Sequence, residues 1–346
     1  MHIRRLLGIL TAAVAAAALL AAPAQATPEE NAPPAGLVGG DISNERLAQV
    51  LNLLERASRG RVDVRSVGTS NEGRPIHFAT VGHGPVRILY ITQQHGNEPL
   101  GTPAAVRALW TLGVPSTPWH RRLLSQVTLG VIVRANPDGH ARNWRYNFDP
   151  DADPEFGQRG QGYDINRYHN PDMAPEDNPV PEAAAIQRTF RAMRPAIVID
   201  YHMQGRFQFP DGRPITTSIF WPSVPTAPAD AVTRSKQVTA FNYDVLTRAV
   251  GAGVSQYPGT DHPGIARNAY GTLGAASMLL ELSSVDEAQE EFQITTAYVS
   301  MLATLVAAAD GSLWRVDPAR ADQIPPRGPA VPDPAEAEHA NEDDAA

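Results

Sequence analysis

Four apolar runs of strand length, Val86–Thr92, Val127–Val133, 196–201 and 275–282, alternate with longer stretches of helical periodicity. Runs of this kind bounded by turn residues read as strands buried on both faces, and such strands need a helical layer on each side. Helical patterns fall at 45–57, 102–111, Pro181–Met193, 229–250 and 292–308. The alternation predicts a single α/β domain built on a mixed, mostly parallel, twisted sheet with helices on both faces. Two polar stretches rich in Pro and Gly, 147–178 and 204–228, read as excursions able to wall a cleft.

The ends of the chain read differently. Met1-His2-Ile3-Arg4-Arg5 is basic, residues 6–22 are apolar and Ala-rich, and Ala24-Gln25-Ala26 is a small-x-small cleavage site. Residues 1–26 therefore read as a signal peptide, which predicts an exported protein with no stable membrane insertion after cleavage. Residues 27–43 form a short linker, 44–312 the globular domain, and 313–346 an acidic tail rich in Pro and Ala with no apolar period, expected to be disordered. From Asp317 onward eight acidic residues face only Arg320 and Arg327, so most of the formal charge of -8 sits in that tail. A globular part that is mildly acidic argues against nucleic acid as a partner.

Cysteine is absent, so any metal must take nitrogen and oxygen ligands. His95 and Glu98 follow the strand Val86–Thr92, where Gly96 and Pro99 turn the chain. In an open α/β sheet that carboxyl edge is where ligands bind. An imidazole and a carboxylate three positions apart can close on one divalent ion, and a catalytic zinc takes a third ligand from far along the chain. His202, at the end of the run 196–201, fits that role. One zinc ion per chain is the expected cofactor, although the same atoms would bind other divalent ions.

Two further groups of residues belong at the same edge. Asn136-Pro137-Asp138-Gly139 is a turn sequence, and Arg142 and Arg145 after it flank Trp144. Paired cations at a sheet rim expect an anion. Asn166 and Arg167 add an amide and another guanidinium, the latter suited to gripping a carboxylate. Glu281 lies inside the apolar run 275–282, where burial raises a carboxyl pKa and suits it to general base and acid work.

These motifs resemble the zinc metallocarboxypeptidases of the carboxypeptidase A type, over about residues 44–308. The resemblance begins at Thr69-Ser70-Asn71-Glu72-Gly73-Arg74 and implies a carboxypeptidase-like fold. It implies that His95, Glu98 and His202 hold zinc, with Asp164 orienting the first histidine. Arg142 and Arg145 match the family's arginine pair, with Arg145 stabilising the oxyanion. Asn166 and Arg167 match the residues that bind the substrate's terminal carboxylate, helped by a mobile tyrosine that is either Tyr257 or Tyr270. Glu281 matches the catalytic glutamate, which takes a proton from zinc-activated water. The implied activity is hydrolysis of the last peptide bond of substrates with a free carboxyl terminus, either protein fragments or cell-wall stem peptides. An acidic terminal side chain is favoured if Arg267 points into the specificity pocket, an apolar one if Ile265 does. The alternatives are a zinc amidohydrolase acting on acylated amino acids and, from another class, a non-catalytic zinc- or carboxylate-binding module.

Overall fold

A computed structural model of the chain describes residues 42–331. The signal peptide, almost all of the linker and the tail beyond Val331 lie outside the described residues.

Eight strands form one sheet: β1 (Val62–Thr69), β2 (Pro75–Gly82), β3 (Val86–Thr92), β4 (Val127–Val133), β5 (Ile197–Gln204), β6 (Thr217–Phe220), β7 (Val254–Gln256) and β8 (Ala276–Ser283). Their order is β1-β2-β4-β3-β5-β8-β6-β7. The central strands β4, β3, β5 and β8 run parallel, β1 and β2 add an antiparallel hairpin, and β6 runs antiparallel to β8. The parallel strands are the four apolar runs of the sequence, buried along most of their length as strands covered on both faces must be.

The helices are α1 (Asn44–Ala57), α2 (Gly101–Gly113), α3 (Pro118–Leu124), α4 (Pro137–Ala141), α5 (Pro181–Met193), α6 (Ala229–Val245), α7 (Ala266–Thr272) and α8 (Glu290–Ala309). Leu51 of α1, Leu109 of α2, Phe241 of α6 and Leu302 of α8 join the core on one face, while Ile186 and Phe190 of α5 and Tyr270 of α7 join that on the other. By composition α8 could cross a membrane, yet 83% of its most apolar stretch is buried. It is a core helix.

Two expectations change. The stretch 204–228 is not only an excursion, because it contributes β6 next to β8. Residues 313–331, expected to be disordered, form short 3₁₀ turns at Leu313–Arg315 and Pro318–Gln323 and then line the sheet edge. Leu313, Val316, Ala321 and Ile324 are buried there, Gln256 bridges to Pro326, and Phe207 bridges to Ala330. A few apolar residues spaced among Pro and Asp were enough to anchor the segment, although they show no period.

Candidate active site

Because β3, β4, β5 and β8 are parallel, their carboxyl ends share one edge. Two chain excursions shape the turn that carries His95. Gln93 adopts a left-handed conformation (φ 57°), unusual for a residue with a side chain. Its amide donates to Gly96 O (2.8 Å), and its oxygen accepts from Thr102 Oγ1 (2.8 Å) and Arg134 Nε (2.9 Å). The loop after β4 locks onto this turn. Asn136 Nδ2 donates to Gln94 O (3.1 Å) and Tyr146 O (2.9 Å), while its Oδ1 caps α4 by accepting from the Gly139 N–H (2.8 Å). Gly96 packs so closely on Gly139 that a Cβ there would collide with backbone.

Three ligating atoms converge as a result. One ligand atom from each of His95, Glu98 and His202 lies within 4.8 Å of the others, and all three residues are buried. His95 Nδ1 is 2.7 Å from Glu98 Oε1, and His202 Nδ1 is 2.8 Å from Glu98 Oε2. Each ring's other nitrogen meets a carboxylate: His95 Nε2 is 3.1 Å from Asp164 Oδ1, and His202 Nε2 is 2.8 Å from Asp200 Oδ2. That arrangement aims both Nδ1 atoms at the common point and fixes the tautomer. Two imidazoles and a carboxylate, with room left for a further ligand, are a donor set that fits a catalytic zinc.

The charges reinforce one another. Burial alone would lower the pKa of both histidines, but Glu98 with Asp164 raises His95, and Asp200 with Glu98 raises His202 well above its usual value. Burial acts to raise Asp164 and Glu98 too, yet the facing histidines and Arg145 hold Asp164 far below the carboxylate range, and the histidines do the same to Glu98. Glu281 behaves oppositely. Burial pushes it up to about 8, with His202 opposing and the Glu98 charge adding. Its Oε2 has no hydrogen-bond partner, and it stands beside His202 in the β5–β8 register.

A cavity of about 80 Å³ opens over these groups, lined by His95, Glu98 and Glu281 together with Arg145, Asn166, Arg167 and Tyr257. Arg145 is held by Asp164 Oδ2 through Nε (3.2 Å) and Nη2 (3.0 Å), leaving its guanidinium partly exposed at the cavity. Asn166 Oδ1 accepts from the Ala266 N–H (2.8 Å), which sets its amide. Arg142 lies elsewhere: it donates to Glu72 (2.5 and 2.8 Å) and stacks 3.8 Å over the Phe148 ring. Arg142, expected among the substrate-binding residues, does not line the cavity. Tyr270 is sealed in the core with its hydroxyl on His169 Nδ1 (2.9 Å), so of the two tyrosines only Tyr257 reaches the cavity.

Sequence reasoning missed a buried relay behind His202. Asp200 accepts from Gln94 Nε2 (2.8 Å), Gln94 Oε1 accepts from His169 Nε2 (2.5 Å), and His169 reaches Tyr270. Burial lowers His169 to about 4, so it stays neutral. The alternation of a strand did carry a signal, since Asp200 and His202 are two apart and therefore share a face. The segment Thr69 to Arg74 also gains a role: Asp138 accepts from Ser70 Oγ (2.7 Å), the Glu72 N–H (3.0 Å) and Arg74 Nη1 (2.6 Å), pinning α4.

Residues 47–300 match the sequence family described as zinc carboxypeptidase. No curated protein sequence matches the chain. Several solved structures share its fold. A metallo-carboxypeptidase from Burkholderia cenocepacia superposes with a TM-score of 0.59 at 19% identity, covering 78% of this chain and 70% of that one. The carboxypeptidase A from Helicoverpa armigera gives 0.61 at 19% identity, covering 78% and 74%. A Pseudomonas aeruginosa metallo-carboxypeptidase in complex with (2-guanidinoethylmercapto)succinic acid gives 0.58 at 20% identity, covering 79% and 70%.

Proposed function

The chain belongs to the zinc carboxypeptidase family, and on that premise we propose that this zinc metallocarboxypeptidase is exported and removes residues singly from free peptide carboxyl ends. The observation that carries the reading is the meeting of the His95, Glu98 and His202 ligand atoms with the Glu281 carboxyl, which pairs with His202 across the sheet, lines one cavity with His95 and Glu98, and leaves Oε2 without a hydrogen-bond partner. Export is supported by the basic, apolar and small-residue pattern of residues 1–26.

His95, Glu98 and His202 would hold the zinc, which when bound supplies a Lewis acid for the carbonyl and the attacking water. Asn166 and Arg167 bind the substrate's terminal carboxylate, with the Tyr257 hydroxyl closing over it. Arg145, braced by Asp164, donates to the carbonyl oxygen as negative charge builds there. Glu281 takes a proton from the water as its oxygen bonds to the carbonyl carbon. The same carboxyl then gives the proton to the nitrogen as the C–N bond breaks. Burial makes the Glu281 carboxylate a stronger base than an exposed one, which suits it to taking the water's proton.

The test is mass spectrometry of peptides with free and with amidated carboxyl ends, incubated with the zinc-loaded protein and with Glu281→Gln. Stepwise loss from free ends alone, absent in the variant, is the expected result. Cleavage of acylated amino acids with no peptide trimmed would replace the reading with an amidohydrolase.

A further inference from the structure

Two arginines are almost fully buried, Arg134 and Arg267, each 1% exposed. Arg134 has a partner on every nitrogen: Nε donates to Gln93 (2.9 Å), Nη1 to Asn44 (2.9 Å) and Nη2 to Ile42 O (2.6 Å). Arg267 is not. Its Nε has no partner, and Nη2 makes only long contacts of 3.4 Å, to Ser223 Oγ and to Thr260 O. The Thr260 carbonyl already accepts a shorter bond from Asn268 Nδ2 (2.8 Å).

No carboxylate of the described residues lies within ion-pair distance of Arg267, and the Phe220 ring lies 5.3 Å from its guanidinium carbon. Burial consequently pulls its pKa down to about 10. An uncompensated guanidinium out of water is costly, and the cost is recovered when an anion reaches it. Arg267 lines the same cavity as Glu281, together with Ile265, Leu279 and the Asn166–Arg167 pair to which the proposed function gives the main-chain carboxylate.

We propose that Arg267 selects substrates whose last residue carries a side-chain carboxylate, with Ile265 and Leu279 packing on the methylenes that lead to it. The proposal rests on the carboxypeptidase reading above and supplies its substrate class. Such a side chain occurs in protein fragments ending in Glu or Asp and in wall stem peptides ending in a diamino diacid.

Blocked peptides identical except for a last residue of Glu, Asp, Gln, Leu or Lys test it, compared by kcat/KM on the zinc-loaded protein. Glu should exceed its neutral isostere Gln by about tenfold or more, since a site built for a charged partner rejects the analogue that leaves it unpaired. Arg267→Met should bring the Glu to Gln ratio close to one while Leu peptides are still cut, and Arg267→Lys should keep the preference. A matched stem peptide ending in a diamino diacid shows which source is preferred. Equal rates for Glu and Gln in the unmodified protein, or faster release of Leu or Lys, would overturn the proposal and leave the carboxypeptidase reading intact. If no peptide is cut, that reading itself fails. Should the Met variant not fold, the Glu to Gln ratio of the unmodified protein decides.

Discussion

Replacing Asp200 by Asn should weaken zinc binding without disturbing the fold. Asp200 Oδ2 receives both His202 Nε2 and Gln94 Nε2 at 2.8 Å, whereas Oδ1 has no partner. An asparagine can put its oxygen where Oδ2 was and keep both contacts, its amide taking the Oδ1 position. What leaves is the negative charge behind the imidazole, and the new N–H₂ at the Oδ1 position is buried without an acceptor. Removing such an outer partner of a metal-ligating histidine costs about 10–100-fold in affinity, roughly 1.4–2.7 kcal/mol. Competition of the metal-free protein against a chromophoric chelator measures the shift, and circular dichroism confirms that the variant is folded. An affinity within about twofold of the parent, well below that range, in a folded variant would show that Asp200 does not orient His202.

Three other outcomes follow from the geometry. Arg145→Ala should lower kcat/KM by about a hundredfold or more through loss of carbonyl stabilisation, whereas Arg142→Ala, which loses its Glu72 pairing and its stacking on Phe148, should cost about 1–2 kcal/mol of stability and little activity; equal losses in a kinetic comparison would contradict the placement of the two guanidinium groups. Gly96→Ala should destabilise by about 1–3 kcal/mol and lower zinc stoichiometry, because the new methyl meets the Gly139 backbone; an unchanged thermal midpoint would refute the close approach. Glu182 is buried, with Oε1 unpartnered and its pKa pushed up to about 7 by burial. The folded state therefore holds its proton more tightly than the unfolded chain, so stability falls as pH rises from the unfolded value near 4.3 through 7, by up to about 3 kcal/mol. Glu182→Gln can still accept from Asn147 Nδ2, and urea titrations at pH 5 and pH 8 should show a loss smaller in the variant than in the parent by about that amount; equal losses would refute the assignment.

How much was legible in the chain depends on how a residue earns its place. Strands β3 and β4 have the bounds their uninterrupted apolar runs predict, because burial on both faces leaves little room for polar residues. The hairpin β1–β2 was missed: β1 is mostly half-exposed, so its polar residues hide the pattern. Strand β6 has only four residues and sits in a Pro-rich stretch, so its pairing with β8 is decided by tertiary contact. At the site, His95, Glu98 and His202 were readable because few other roles need those types at strand ends, and Glu281 because a carboxylate inside an apolar run is anomalous. Gln94 and His169 were not, since each is explained only by a neighbour distant in sequence, and Asp200 carried no more than its spacing of two from His202. Arg142 was expected to bind substrate, and its pairing with Glu72, seventy positions away, was not legible in the sequence.

His202 and Glu281 are partners in adjacent parallel strands. Their separation is set by interstrand spacing, about 4.8 Å in any sheet, and not by a loop. Arg267 and Ile265, by contrast, come from the connection at the start of α7. His202 and Glu281 are thus part of the scaffold's lattice, while Ile265 and Arg267 are upholstery on it. On the proposed reading, natural drift or directed evolution at 257–267 exchanges one preference for another without retuning the distance between His202 and Glu281.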